Sequence, residues 1–306
     1  MKVIVVGLGI QGKKRLAVAG PEAVATVDPI IVGATHKRIE DIPLDQYDAA
    51  LVCTPDGPKH QLLSYLLSNK KHVLVEKPLF ASQSALKGLA DLAQKNKVSC
   101  YTAYNHRFEP HFVNMKKIVD SGELGAIHSV SMFYGNGTAR DVRNSAWRDQ
   151  GDGVLPDLGS HIFDTLHFLL GDSLIERSFK PWSFDRFENQ AYDHVIFASR
   201  GTPLIMCEAT LLSWRNTFRL DLVGEKGSAH IDCLCKWGPS TLTVRNRVLP
   251  SGRPAERTET LKQADPTWVE EYAHFKSLCK TGMSNTSNDI WIMAKLQALS
   301  EMKDPR

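Results

Sequence analysis

The chain has no C-x-x-C pair, no apolar run long enough to span a membrane and no long run of one charge. Each absence removes a class. The six cysteines, Cys53, Cys100, Cys207, Cys233, Cys235 and Cys279, show no metal-ligand or redox-pair spacing, so no metal is expected and reduced core thiols in a cytoplasmic protein are. Cys233 and Cys235 stand two apart on an expected strand and would share one face. Without a long apolar run there is no transmembrane helix and no membrane partner. The net charge is only +3, with no basic stripe, which argues against nucleic acid as a partner. The first expected strand starts at Lys2, leaving no room for a cleavable signal peptide. Composition is 42% hydrophobic and 23% charged, which excludes a disordered chain, and 306 residues suffice for two domains, each with its own core.

What is present begins at once. Lys2-Val3-Ile4-Val5-Val6-Gly7-Leu8-Gly9-Ile10-Gln11-Gly12 is a buried strand running into G-x-G-x-x-G, the opening of a dinucleotide-binding βαβ unit. Gly7 permits the tight turn, Gly9 lets backbone approach a pyrophosphate, and Gly12 lets the helix pack on the strand. The first free amides of that helix, at Ile10 and Gln11, lie at the positive end of its dipole. A second strand follows over 22–28, and Asp28 lies about 20 residues past the glycines, where a carboxylate accepts from the adenosine ribose and repels a 2′-phosphate. Pro29 and Ile30 bring no cation. The reading is therefore NAD(H) over NADP(H). Lys13, Lys14 and Arg15 crowd the first turn of the helix, where the dipole disfavours cations; they either point to solvent or one of them neutralises the pyrophosphate.

Strands and helices alternate through the first third. A buried strand over 48–55, a helix near 59–69, a strand at 72–75, a helix at 83–96 and a strand at 98–104 imply a parallel, doubly wound sheet. Residues 31–47 leave too little chain for a full second helix, so that crossover is abbreviated. Beyond about residue 107 the pattern changes. A helix near 109–121 and a strand over 127–134 precede strands at 191–199, 203–213, 217–223, 228–235 and 240–248 with no helices between them, which predicts an α+β domain on a largely antiparallel sheet. The polar stretch 245–260 reads as a mobile excursion.

Ligands of open α/β sheets bind beyond the carboxyl ends of the strands. Thr54-Pro55, Glu76-Lys77-Pro78 and Asn105-His106-Arg107 should gather there. A lysine at such a strand end can polarise a carbonyl or stabilise an alkoxide, although alone it reads more often as an exposed loop lysine. Further on, Gly151-Asp152-Gly153 leads into a helix starting near Asp157, with Asp157 and His161 one turn apart and Asp164 on the same face. Such a pair is often structural. It is also what a general acid/base needs, a carboxylate that orients an imidazole. His161 and His167 fall on different faces, which argues against a metal pair.

The glycine turn, Glu76-Lys77-Pro78, and Asp157-x-Gly159-x-His161-x-x-Asp164 together resemble the Gfo/Idh/MocA family of sugar and cyclitol dehydrogenases. Asn105-His106-Arg107-Phe108, Trp147-Arg148 and the Gly-Glu-Lys-Gly turn at 224–227 extend the resemblance over nearly the whole chain. It implies a dinucleotide-binding Rossmann domain over 1–106 and an α+β substrate and oligomerisation domain over 107–286, with a C-terminal helix at about 287–302 folded back on the first. It implies Lys77, Asp157 and His161 as the catalytic set, a cis Lys77–Pro78 peptide and NAD contacts from Gly7, Gly9, Ile10, Gln11, Gly12, Asp28, Thr54, Pro55, His60, Glu76 and Lys77. It places Asn105, Arg107, Trp147, Arg148, Asp157 and His161 about the substrate.

Gly-Asp-Gly stands where the family has three glycines. The implied reaction is hydride transfer between NAD and a ring hydroxyl or ketone of a sugar or nucleotide sugar, with Arg107 and Arg148 able to meet a carboxylate or phosphate. A free cyclitol is the nearest alternative and a linear tetrapyrrole a distant one. An NAD-binding regulator that lost the chemistry is the non-enzymatic one. A homodimer or homotetramer is expected by resemblance.

Overall fold

The structure, a computed structural model, describes residues 1–146 and 148–303. Its contacts separate two compact units, Met1–Asn105 with Pro266–Met293, and His106–Asp265 with the chain from Ala294 onward.

In the first unit, β1 (Val3–Val6) is buried at every position, as its unbroken β-branched run requires for a strand covered on both faces. It pairs in parallel with β2 (Ala23–Val27) and β3 (Ala49–Val52); β4 (His72–Glu76) and β5 (Cys100–Ala103) continue the sheet in the order β2-β1-β3-β4-β5. Crossovers run through α1 (Ile10–Ala19), α2 (Asp56–Ser68) and α3 (Gln83–Asn96). Between β2 and β3 there are only two short 3-10 turns, Ile39–Asp41 and Leu44–Gln46, where Pro29, Gly33 and Pro43 interrupt any longer helix. The chain leaves β1 to one side for β2 and returns to the other for β3. The crevice at that reversal, beyond the carboxyl ends of β1 and β3, is where ligands sit in open α/β sheets.

The second unit opens with α4 (Pro110–Asp120) and β6 (Ile127–Gly135), then α5 (Ala139–Arg143) and α6 (Ser160–Leu170). Seven strands follow: β7 (Lys180–Asp185), β8 (His194–Ser199), β9 (Leu204–Thr210), β10 (Thr217–Gly224), β11 (Gly227–Asp232), β12 (Ser240–Asn246) and β13 (Glu256–Leu261). They form one sheet in the order β13-β12-β11-β10-β6-β9-β8-β7, antiparallel except for the β6–β9 pair. Two helices are fastened to it by aromatic contacts. Phe112 of α4 lies 5.1 Å from Phe218, and Phe163 of α6 stacks 5.1 Å from Phe197.

Three features of this unit depart from the sequence reading. The stretch expected to be a mobile excursion contains β13, an edge strand whose pattern Glu-Arg-Thr-Glu-Thr-Leu is exposed almost throughout. It shows no alternation because it buries no face, and it is held by its ladder to β12 with Arg245–Glu256 and Thr243–Thr258 side-chain bonds of 2.9 Å. The edge strand β7 also went unanticipated; its Pro181 is tolerated because an edge needs donors on one side only. Cys233 and Cys235 do not share a strand face. β11 ends at Asp232, Cys233 turns the chain with φ of 67°, and Cys235 opens a 3-10 turn.

The first unit is completed by the return segment. α7 (Thr267–Thr281) contributes Tyr272 and Phe275 to the core that holds Val3, Val5, Leu51, Leu74 and Tyr101. Asn285 caps the edge of β5, accepting from the Thr102 amide at 2.8 Å and donating to its carbonyl at 2.9 Å. α8 (Thr286–Glu301) begins in this unit and ends in the second. The returning segment is thus Pro266–Met293, longer and earlier than the single helix expected at 287–302. The apolar pair Tyr272 and Phe275, one turn apart beside the buried Glu271, is what draws α7 in. Among the described residues no helix is long and apolar enough to cross a membrane, and no group of three or more His, Cys, Asp or Glu could hold a metal ion.

Candidate active site

The glycine turn is built by close approach. A Cβ on Gly12 would lie 1.8 Å from the Gly7 carbonyl oxygen, and one on Gly7, whose φ is 90°, would meet the Cys53 carbonyl at 2.8 Å. A side chain at either position would push α1 off β1 and β3. Above Gly9 there is open space for 4 Å. α1 starts at Ile10 with no side-chain cap and no acidic residue in its first turn, and its first amide-to-carbonyl bond is Lys13 to Gly9 at 3.0 Å. The amides of Ile10, Gln11 and Gly12 therefore have no partner within the helix. Nearby, Thr54 Oγ1 is buried without a hydrogen bond among the described residues. Open backbone, unspent amides and a buried hydroxyl fit a dinucleotide's diphosphate.

Asp28 closes β2 and is largely committed to the protein. Its Oδ2 accepts from the Leu8 amide at 2.8 Å, and its Oδ1 from Ile30 and Ile31 at 2.9 and 2.8 Å. Burial pushes its pKa up, but these three amides, with help from the charge of Lys37, bring it below the ordinary value. The carboxylate thus ties the glycine turn to the loop after β2. A cation does approach it, Lys37, brought back by a parallel bridge between Val27 and His36, although Pro29 and Ile30 carry none.

Arg15 does not point to solvent. It is 1% exposed, donating from Nε to Glu76 at 2.7 Å and from Nη2 to Glu271 at 2.6 Å, with Trp268 stacked 4.3 Å from its guanidinium. Glu76, expected among the NAD contacts, is thereby held by Arg15. Lys77 follows β4 across a cis bond to Pro78. The Pro78 carbonyl accepts at 3.0 Å from Lys59, which is 4% exposed and also bonded to Asp56 at 2.7 Å. His60, the sequence choice on α2, is exposed, and Pro55 is exposed just before that helix. Its neighbour Lys59 is the buried residue of that turn. Asn105 is nearly buried, and its amide donates to Thr267 at 2.8 Å.

In the second unit Asp157 lies in a single π-helical turn, Leu155–Gly159, that leads directly into α6 with His161 in its first turn. Such turns widen a helix locally and recur at functional sites. Arg148 lies 3.6 Å from Asp157. Arg107 forks onto Asp164, Nε to both carboxylate oxygens at 3.0 and 2.9 Å and Nη2 to Oδ1 at 2.6 Å, so much of its donor set is spent inside the protein. Trp147 lies outside the described residues. The imidazole of His161 is stacked on that of His106, with centroids 4.0 Å apart and planes 16° apart, and Tyr134 flanks both. Lys236 reaches His106 at 3.0 Å. Neither Lys59 nor Lys236 carries a signal in the sequence, since each acts on a loop or ring far from it in the chain.

Two family models match. Residues 22–104 fit the oxidoreductase family, NAD-binding Rossmann fold, and residues 112–230 fit the GFO/IDH/MocA C-terminal domain. The chain belongs to the Gfo/Idh/MocA oxidoreductase family. It is 22% identical over 187 residues to the inositol 2-dehydrogenase of Rhizobium meliloti, covering 59% of this chain and 56% of that one. It is 25% identical over 151 residues to the glucose-6-phosphate 3-dehydrogenase of Bacillus subtilis, covering 48% and 43%. The chain thus spans about half the length of these curated relatives. The fold matches that of levoglucosan dehydrogenase in complex with NADH, with a TM-score of 0.84 at 19% identity over 99% of this chain and 96% of that one.

Proposed function

We propose that this Gfo/Idh/MocA protein is an NAD-dependent dehydrogenase or reductase acting on a ring secondary alcohol or ketone of a sugar or nucleotide sugar. Bound NAD supplies the hydride acceptor or donor. The observation that carries the reading is the glycine turn, whose geometry fits a diphosphate, in a chain that also holds Lys77, Asp157 and His161 at the positions of the family motifs. On oxidation the His161 imidazole accepts the hydroxyl proton, and on reduction it returns that proton to the carbonyl oxygen. The Lys77 ammonium donates to the same oxygen and stabilises its developing negative charge. Asp157 orients the imidazole, and Arg148 beside it favours an oxygen-rich substrate. The relatives named for inositol and glucose 6-phosphate support a carbohydrate hydroxyl, with a cyclitol as the alternative substrate. NAD(H) is preferred to NADP(H) because a 2′-phosphate at the end of β2 would face the Asp28 carboxylate. Assembly as a homodimer or homotetramer belongs to the same reading.

The test is a panel of sugars, nucleotide sugars and inositols scored for NADH formation, run on the wild type and on Lys77→Ala. Turnover in the wild type should fall about 100-fold or more in the variant, with NADH affinity retained. Undiminished turnover in Lys77→Ala would overturn the assignment. Silence across the panel with firm NADH binding would point instead to a regulator without the chemistry.

A further inference from the structure

We propose that Lys236 is a positioning residue for His161, acting through His106, which it holds as a neutral imidazole protonated on Nδ1. The inference rests on the reading of His161 as the proton carrier. Lys236 lies on the 3-10 turn Cys235–Trp237, and its Nζ is 3.0 Å from His106 Nε2. An ammonium offers only N–H bonds, so at this distance Nε2 must present its lone pair, and the ring proton is left on Nδ1. The surroundings of His106 agree. It is 1% exposed and ringed by Tyr134, Phe112 and Phe218 at 5.4, 6.0 and 6.5 Å, and such an apolar cage disfavours a second charge.

The turn that carries Lys236 is itself pinned to the segment that carries His106. The Cys235 amide and thiol both donate to the carboxylate of Glu109, whose own amide donates to the His106 carbonyl at 3.0 Å. Trp237 lies 4.8 Å from the ammonium. Lys236 thus ties a pinned turn to the stacked rings of His106 and His161, across 130 positions of sequence from Lys236 to His106.

The consequence concerns charge. In the proposed reaction His161 alternates between imidazole and imidazolium. A neutral ring face 4.0 Å away attracts the imidazolium, as aromatic faces attract cations, whereas a second imidazolium there would repel it. By keeping His106 neutral, Lys236 makes His161 titrate as a single site. Several other groups face this stack. Asp157 and Asp164 lie on the helical run of His161, with Arg148 on Asp157 and Arg107 on Asp164. Glu109 stands behind Cys235. Tyr134 comes from β6, its phenol pushed far above the ordinary range by burial and then by Asp157.

Imidazole-ring NMR on the full chain between about pH 5.5 and 8.5, a range that spans the ordinary histidine pKa, tests this. Signals are assigned with His106→Phe and His161→Gln. In the wild type His106 should show the Nδ1-protonated tautomer without titrating, and His161 a single inflection. In Lys236→Met, His106 should begin to titrate and the His161 curve should split into two steps. Lys236→Arg, which retains a cationic donor, should restore the wild-type curves. Under turnover, kcat of Lys236→Met at the acid end should fall about 10-fold below wild type with KM unchanged, the equivalent of about 1.4 kcal/mol. A titrating His106 in the wild type, or a His161 curve unaltered in Lys236→Met, would overturn the inference. The spectra need no substrate, so a silent activity panel leaves this arm decisive.

Discussion

Arg15 and Glu271 form a buried ion pair at 2.6 Å between residues 256 positions apart, Arg15 exposing 1% of its side chain and Glu271 none. The pair joins α1, which begins at the glycine turn, to α7, which returns from the end of the chain. Glu76 shares the same guanidinium, so one cation serves two carboxylates. Burial lowers the Arg15 pKa, yet Glu271 and then Glu76 raise it well above the ordinary range. Glu271 is pushed up to about 7, by its complete burial against the pull of Arg15 and with a further push from Glu76.

Arg15→Met should therefore destabilise the protein by about 3–5 kcal/mol, the cost of stranding a buried charge. The penalty has a pH signature. Glu271 binds its proton more tightly folded than unfolded, so its contribution to stability is fully present below the ordinary carboxylate range and is lost as pH rises toward 7. Without Arg15 its folded pKa moves higher still. The gap between variant and wild type should widen above pH 7 and shrink toward pH 5, as urea melts at a series of pH values would read. A gap independent of pH would assign the loss to packing alone. Arg15→Met with Glu271→Gln should recover part of the loss at neutral pH.

Asp28 ties the glycine turn to the loop after β2, and in the proposed function it also sets the choice of cofactor; substitution separates the two. Asp28→Ala removes the acceptor for the Leu8, Ile30 and Ile31 amides, each a bond to a charged group worth about 1.5–3 kcal/mol. NADH affinity, followed by fluorescence titration, should weaken about 10- to 100-fold, one or two factors of 1.4 kcal/mol, while NADPH affinity should weaken less, so that the preference narrows. Equal loss for both would show that the carboxylate acts only on the loop. The stability that Asp28 contributes follows its lowered pKa. It is present above the ordinary aspartate range and is lost as pH falls through the folded value.

How much was legible follows from the distance over which each feature is encoded. β1, the glycine turn and the parallel strands were readable because local period and backbone freedom specify them. The Gly7 and Gly12 roles follow from steric facts that any sequence must obey. Arg15 could not be read, since its partners come from β4 and α7 and nothing near Arg15 announces them. The same holds for Lys236 on His106. β13 was missed because an exposed edge strand buries no face and so leaves no alternation. His60 comes from resemblance alone, whereas helix phase buries its neighbour Lys59, which nothing local in the sequence singles out. The catalytic roles of Lys77, Asp157 and His161 follow from resemblance and are proposals, with Lys77→Ala as the variant that tests the set.

Arg107 stands just before α4, and its partners decide whether its charge serves substrate or scaffold. Its fork onto Asp164 is the bidentate geometry that guanidinium and carboxylate favour, and Asp164 is 1% exposed on its side chain while Arg107 retains 24%. Losing the guanidinium would leave a buried carboxylate on α6, two turns or fewer from Asp157 and His161. Arg107→Ala should cost about 3–5 kcal/mol of stability, and Arg107→Lys should cost less but more than a surface exchange, because an ammonium supplies a point charge and no fork. In the folded fraction KM should stay near the wild-type value, with any loss appearing in kcat through a displaced α6. A rise in KM with unchanged melting would return Arg107 to the substrate, as the sequence reading had it.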